Sequence, residues 1–142
     1  MEGKSICPLC ENPTELGAGK PLRTTKDILS YLEHFRNKKQ EYLVSLSLDS
    51  GQRLIARRVV TIGLLDTALA HPREVFAGPL TDRAASVIVA HNHPSGEAAP
   101  SKQDVKTTQQ LVAAGLLLGI PLQDHFIVTI TNHYSFKQNH LI

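Results

Sequence analysis

The spacing of hydrophobic positions changes several times along this chain, and each change marks an element. Ile28, Leu29, Leu32 and Phe35 recur at helical spacing behind Thr24 and Thr25, with Asp27 in the first turn, where a negative charge suits the peptide dipoles. A helix over about 25–37 is predicted. From Tyr42 the period becomes two, with Leu43, Ser45 and Ser47 alternating with Val44, Leu46 and Leu48 up to Asp49-Ser50-Gly51. Gln52–Ile62 continues as a second strand, so the pair reads as a tight hairpin. Leu64–Leu80 is mixed and interrupted by Pro72 and Pro79, which predicts one or two short helical turns and then a helix to about Ala85.

Ser86-Val87-Ile88-Val89-Ala90 is almost wholly apolar, as a central strand buried on both faces must be, and it runs directly into His91-Asn92-His93-Pro94-Ser95-Gly96. Between Ser101 and Gly119 the residues Val105, Thr108, Val112 and Leu116 recur at three to four. Ser101 is placed to cap the start and Gly119 the end of this helix. Phe126–Ile130 and Tyr134–Phe136, separated by Thr131-Asn132-His133, predict a closing hairpin. Residues 1–21 carry Gly3, Pro8, Pro13, Gly17, Gly19 and Pro21 with few apolar positions; they read as a flexible tail without regular structure, and residues 22–142 as one domain.

Composition narrows the class. At 142 residues, 42% hydrophobic and 20% charged, the chain can build a single ordinary core, which excludes wholesale disorder and fibrous repeats. No run reaches the roughly 18 apolar residues of a membrane span, and Met1-Glu2-Gly3-Lys4 does not open a signal peptide, so a cytoplasmic protein without a membrane partner is expected. A net charge of +2 is far from the dense positive field of a dedicated duplex binder, which sets the expectation for nucleic acid at weak or none. Two cysteines, Cys7 and Cys10, exclude a disulfide scaffold. Their Cys-x-x-Cys spacing is half of a zinc ribbon with no second pair in this sequence.

The chemistry concentrates after the apolar strand. His91 and His93 stand two apart, so both imidazoles project from the same side of a strand end. Pro94 and Gly96 turn the chain, and eleven residues after His93 comes Asp104, in the first turn of the strongest helix. Two imidazoles and one carboxylate, with a fourth tetrahedral position for water, are the composition of a catalytic zinc site. Asp104 alone is also explained as a first-turn acid and Ser101 alone as a cap; the argument for one zinc per chain rests on their joint spacing.

His91-Asn92-His93-Pro94, Ser101 and Asp104 resemble the JAMM motif of the JAB/MPN metalloproteases, His-x-His, ten residues, Asp. The finer resemblance is to the bacterial RadC-like branch. It is carried by Asn92, Ser95-Gly96, Pro100-Ser101, His71-Pro72-Arg73-Glu74-Val75-Phe76 and Asp124-His125, and covers residues 22–142. It implies an α/β fold, a curved mixed β-sheet flanked by helices, and a zinc-dependent hydrolase acting on a peptide or isopeptide bond of a peptide or protein substrate. It also implies a general base, a Glu at the start of the first strand, which here is Glu41. Ser101 would donate to the developing oxyanion. Glu74 is the rival base, although a helix start explains it.

The helix-hairpin-helix segment that often precedes such a domain does not appear in this sequence, which lowers the expectation of DNA binding. Two other functions stay open: a DNA-repair-associated protein, supported by the branch's label and by Arg53, Arg57 and Arg58, and a non-catalytic scaffold, which would not need the retained ligands. Asp124-His125 reads as packing somewhat more readily than as a pair orienting a ligand. His34, His71, His133 and His140 read as surface or internally satisfied histidines.

Overall fold

A computed structural model describes residues 10–11, 19–63 and 70–142. Its centre is a mixed sheet whose six strands lie in the order β1-β3-β2-β4-β5-β6. They are β1 (Cys10–Glu11), β2 (Tyr42–Leu48), β3 (Leu54–Ile62), β4 (Ser86–Asn92), β5 (Leu122–Val128) and β6 (His133–Ser135). All neighbours are antiparallel except β4 and β5, which run parallel and are therefore joined by a helical crossover, α3 (Lys102–Leu118). Two shorter helices, α1 (Thr25–Ser30) and α2 (Pro72–Asp82), complete the flanking layers of this α/β domain.

β4 is buried at every position. Its side chains divide between two cores. Ile88 and Ala90 join Val44, Leu46, Phe126 and Val128 beneath Leu32 and Phe35 on one face. Val87 and Val89 join Leu43, Phe76, Leu111 and Leu122 on the other, under α2 and α3. Gly115 lets α3 approach β5 closely, since a Cβ there would lie 2.6 Å from the Ile120 carbonyl oxygen. Gly119 ends the helix at φ 75°, in the left-handed region, as its position predicted.

Some expectations need correction or limits. The helix predicted over 25–37 breaks after Ser30 into a short 3-10 turn, Glu33–Phe35, which still buries Leu32 and Phe35. The helix predicted to reach Ala85 ends at Asp82, because Arg83 takes a left-handed conformation at φ 53°. Within the segment expected to lack regular structure, Cys10–Glu11 pairs with Arg57–Arg58 as β1, adding a short antiparallel strand to the β3 edge. Of the three arginines that could form a basic patch, Arg53 is exposed, whereas Arg57 is buried and donates to the Tyr31 carbonyl at 2.8 Å, and Arg58 pairs with Asp82. Cys7 and the short turns expected within 64–69 lie outside the described residues.

Candidate metal centre

The candidate centre forms where β4 ends against the start of α3. On β4, odd positions face α3 and even positions face the opposite core, so His91 and His93 share one side. Their Nε2 atoms are 2.9 Å apart. Asp104 Oδ1 lies 3.4 Å from His91 Nε2, and Oδ2 lies 3.3 Å from His93 Nε2. A reciprocal cap fixes the carboxylate: Ser101 N–H donates to Asp104 Oδ2 at 2.8 Å, and Asp104 N–H donates to Ser101 Oγ at 3.0 Å. One motif thus starts the helix and aims a carboxylate at two imidazoles.

The donors fit a small divalent cation. Metal–ligand bonds of about 2.0–2.1 Å at tetrahedral angles place donor atoms about 3.3 Å apart. Each imidazole lies at about this distance from one carboxylate oxygen, His91 from Oδ1 and His93 from Oδ2, and one donor atom from each of the three residues lies within 4.8 Å of the others; the two nitrogens need to open by only a few tenths of an ångström. Among the described residues, His91, His93 and Asp104 form a group that could hold a metal ion. Burial acts against the charged form of Asp104, but the neighbouring imidazoles of His91 and His93 and the Ser101 N–H together hold its pKa well below the usual carboxylate range. His93 is shifted upward, chiefly by its hydrogen bond with Asp104; burial opposes this, and the Glu97 carbonyl and the charges of Asp104 and Glu41 assist it.

The ring nitrogens turned away from the centre also have partners. His93 Nδ1 lies 2.8 Å from the Glu97 carbonyl oxygen, which can only accept, so its Nδ1 carries a proton and its Nε2 faces the centre. Behind His91 stands His125, fully buried on β5, with Nε2 at 2.8 Å from His91 Nδ1 and Nδ1 at 2.6 Å from Thr108 Oγ1. The pair read chiefly as packing therefore divides. Asp124, on the opposite face of β5, accepts from Ser135 Oγ and from the Lys137 and His125 N–H groups, whereas His125 is set against the His91 ring. The sequence contained the signal for this in β-strand alternation; Thr108 gave none beyond its place four residues after Asp104.

Asn92 was legible only as part of the motif. Its side chain points to the other face, where its Oδ1 accepts from Tyr42 N–H at 2.7 Å and its Nδ2 donates to the carbonyls of Gln40 and Lys38 at 2.8 and 3.2 Å. It thus ties the segment carrying Glu41 to the strand end carrying both histidines. Leu43 stands opposite His91 in the β2–β4 ladder, and continuing that antiparallel register by two residues sets Glu41 across from His93. Glu74 lies elsewhere, in the first turn of α2, with its side chain 57% exposed near Arg73. Ser101 is exposed at the rim of the centre. Of the remaining histidines, His34, His71 and His140 are exposed and His133 is half-buried; His71 caps α2 by accepting from Arg73 N–H.

Comparison with known proteins gives the same address. The chain is 41% identical over 120 residues to a UPF0758 protein of Methanococcoides burtonii, covering 84% of this chain and 52% of that protein. It is 46% identical over 101 residues to one of Methanospirillum hungatei, covering 71% and 45%. A Bacillus mycoides relative is 41% identical over 118 residues, covering 82% and 52%. The chain therefore spans about half the length of the curated relatives it matches. The model of the RadC-like JAB domain matches residues 22–141, nearly the whole segment that forms the sheet, its helices and the His-His-Asp group, and the chain belongs to that family.

Proposed function

We propose that this domain is a zinc-dependent hydrolase of amide bonds, with a peptide or isopeptide as substrate. The observation that carries the reading is the convergence of two imidazole Nε2 atoms and one buried, charged carboxylate at a strand end. His91, His93 and Asp104 would hold one zinc, which supplies Lewis acidity and lowers the pKa of bound water to about 7. Glu41 accepts the proton lost from the attacking water and returns it to the departing amine nitrogen, without which the C–N bond breaks only with difficulty. Ser101 Oγ accepts from Asp104 N–H and so keeps its own proton to donate to the carbonyl oxygen of the substrate. A groove of about 430 Å³ lined by Lys39, Gln40, Glu41, Gly63, Pro94 and Ser95 gives an extended peptide access to this edge.

The retained ligand set favours this reading over a non-catalytic scaffold. A nucleic-acid role loses part of its support, because Arg57 and Arg58 are engaged within the fold. The test is metal analysis of the purified chain, followed by a screen of peptide and isopeptide substrates with a chelator control. About one zinc per chain and chelator-sensitive hydrolysis are expected. A His91→Ala, His93→Ala double variant that keeps stoichiometric zinc would sink the site, and zinc without any amide hydrolysis would sink the enzyme.

A further inference from the structure

Thr108, on α3, lies one helical turn beyond Asp104, and its Oγ1 is 2.7 Å from the Asp104 carbonyl oxygen and 2.6 Å from His125 Nδ1. Both contacts are buried. A threonine hydroxyl has one proton to give, and a carbonyl oxygen can only accept, so that proton goes to Asp104 O. Thr108 Oγ1 must then accept, and His125 Nδ1 must carry a proton to donate. His125 is buried, and its two ring nitrogens are set against a hydroxyl and another imidazole; a buried charge with no carboxylate partner is costly, so the ring is neutral and its Nε2 carries no proton. His91 Nδ1, 2.8 Å away, must therefore be the donor in that contact. Only this direction gives each of the three contacts along the row both a donor and an acceptor.

We propose that Thr108 and His125 are positioning residues that hold His91 with its proton on Nδ1, so that the Nε2 lone pair is presented to the metal centre. The row begins at one ligand, His91, and ends on the backbone of another, Asp104. It thus ties the β4 end to the first turns of α3 through the interior. The β4–β5 ladder explains why the row can form: Val89 stands opposite His125 in parallel register, so His125 and His91 are diagonal neighbours on one face. Phe136 stacks on the His125 ring at 4.6 Å between centroids and 9° between planes, which holds the imidazole in the orientation both contacts need. Packing alone explains the stack; it does not explain why each ring nitrogen meets a polar partner at hydrogen-bonding distance.

This inference rests on the zinc reading only for its consequence; the proton arrangement follows from the chain's own groups. Its test has two readouts. In the metal-free chain, long-range imidazole 1H–15N correlation spectra should show His91 and His125 both as Nδ1–H tautomers. Thr108→Val, which keeps shape and removes the hydroxyl, should shift both histidines toward mixed tautomers and weaken zinc binding about tenfold, within the range usual for such outer partners. Thr108→Ser should restore both. Zinc affinity is measured by competition with a chromophoric chelator, and backbone amide spectra establish that each variant is folded.

An Nε2–H tautomer at His91 in the unsubstituted chain would overturn the proposal. So would a folded Thr108→Val variant with unchanged tautomers and unchanged zinc affinity. If the unsubstituted chain shows the stated tautomers but takes up no zinc, the metal reading fails and the proton arrangement stands. The spectrum of the unsubstituted chain decides that arrangement even if the valine variant does not fold.

Discussion

Glu41 carries no sign of its proposed role in its own residue type; what distinguishes it from Glu74 is the partner its backbone is set against. Register places Glu41 across from His93, while Glu74 extends into solvent at a helix start. Glu41→Gln is expected to keep zinc and lose hydrolysis by at least about 100-fold, as loss of a general base does. Glu74→Gln should retain most activity. Metal content and kcat of the two variants check this; the reverse order would make Glu74 the base while leaving the ligands in place. Asn92 acts one step further out, through the segment before β2. Removing its side chain in Asn92→Ala leaves Tyr42 N–H and the carbonyls of Lys38 and Gln40 without their buried partner, a cost of about 1–3 kcal/mol. The Glu41 segment should loosen, so kcat should fall with zinc affinity nearly unchanged. Hydrogen exchange at the Tyr42 amide reports the loosening directly, and unaltered protection there would remove Asn92 from the argument.

At the scale of elements, α3 does two jobs with one cap. Ser101 stops its own backbone from being helical, satisfies Asp104 N–H, and leaves Asp104 reaching back to Ser101 N–H with an oxygen also turned toward the histidines. Ser101→Ala should therefore lose about 1 kcal/mol of stability from the cap and, separately, slow hydrolysis by about 100- to 1,000-fold from the missing oxyanion donor. Ser101→Thr retains a hydroxyl and a capping oxygen, and should recover most of both. Thermal melting and kcat measured on the same samples distinguish a cap that only stabilises from one that also donates; full activity in the alanine variant would exclude the second role. The breaks in α1 and α2 belong to this scale too. The periodicity of Ile28, Leu29, Leu32 and Phe35 survives an α-helix turning into a 3-10 turn, because each residue still reaches the same core.

For the whole molecule, a metal held between β4 and α3 would link the central strand to the crossover helix. Zinc that binds the folded chain and not the unfolded one adds about 2.7 kcal/mol at a free concentration a hundredfold above its dissociation constant. Saturating zinc should raise the melting temperature by several degrees in the unsubstituted chain and leave the His91→Ala, His93→Ala variant unmoved. Equal shifts in both proteins would place the stabilising metal somewhere other than this centre. Among the described residues no helix is long and apolar enough to cross a membrane.

By itself the sequence determined what is local. The apolar run of β4, the hairpin around Asp49–Gly51, the caps of α3 and the His-x-His, ten residues, Asp spacing follow from side-chain period, turn chemistry and capping, each set by residues close together in the chain. Tertiary structure decided what requires distant segments to meet. That His125 on β5 supports His91 on β4, that Asn92 fastens the Glu41 segment, that Arg58 is drawn to Asp82 and that Cys10–Glu11 adds to the β3 edge depend on strand order and register. A polar residue in a strand can be satisfied by whichever neighbour the sheet supplies. Only the assembled sheet specifies which hydrogen bond forms and which nitrogen is left facing the metal centre.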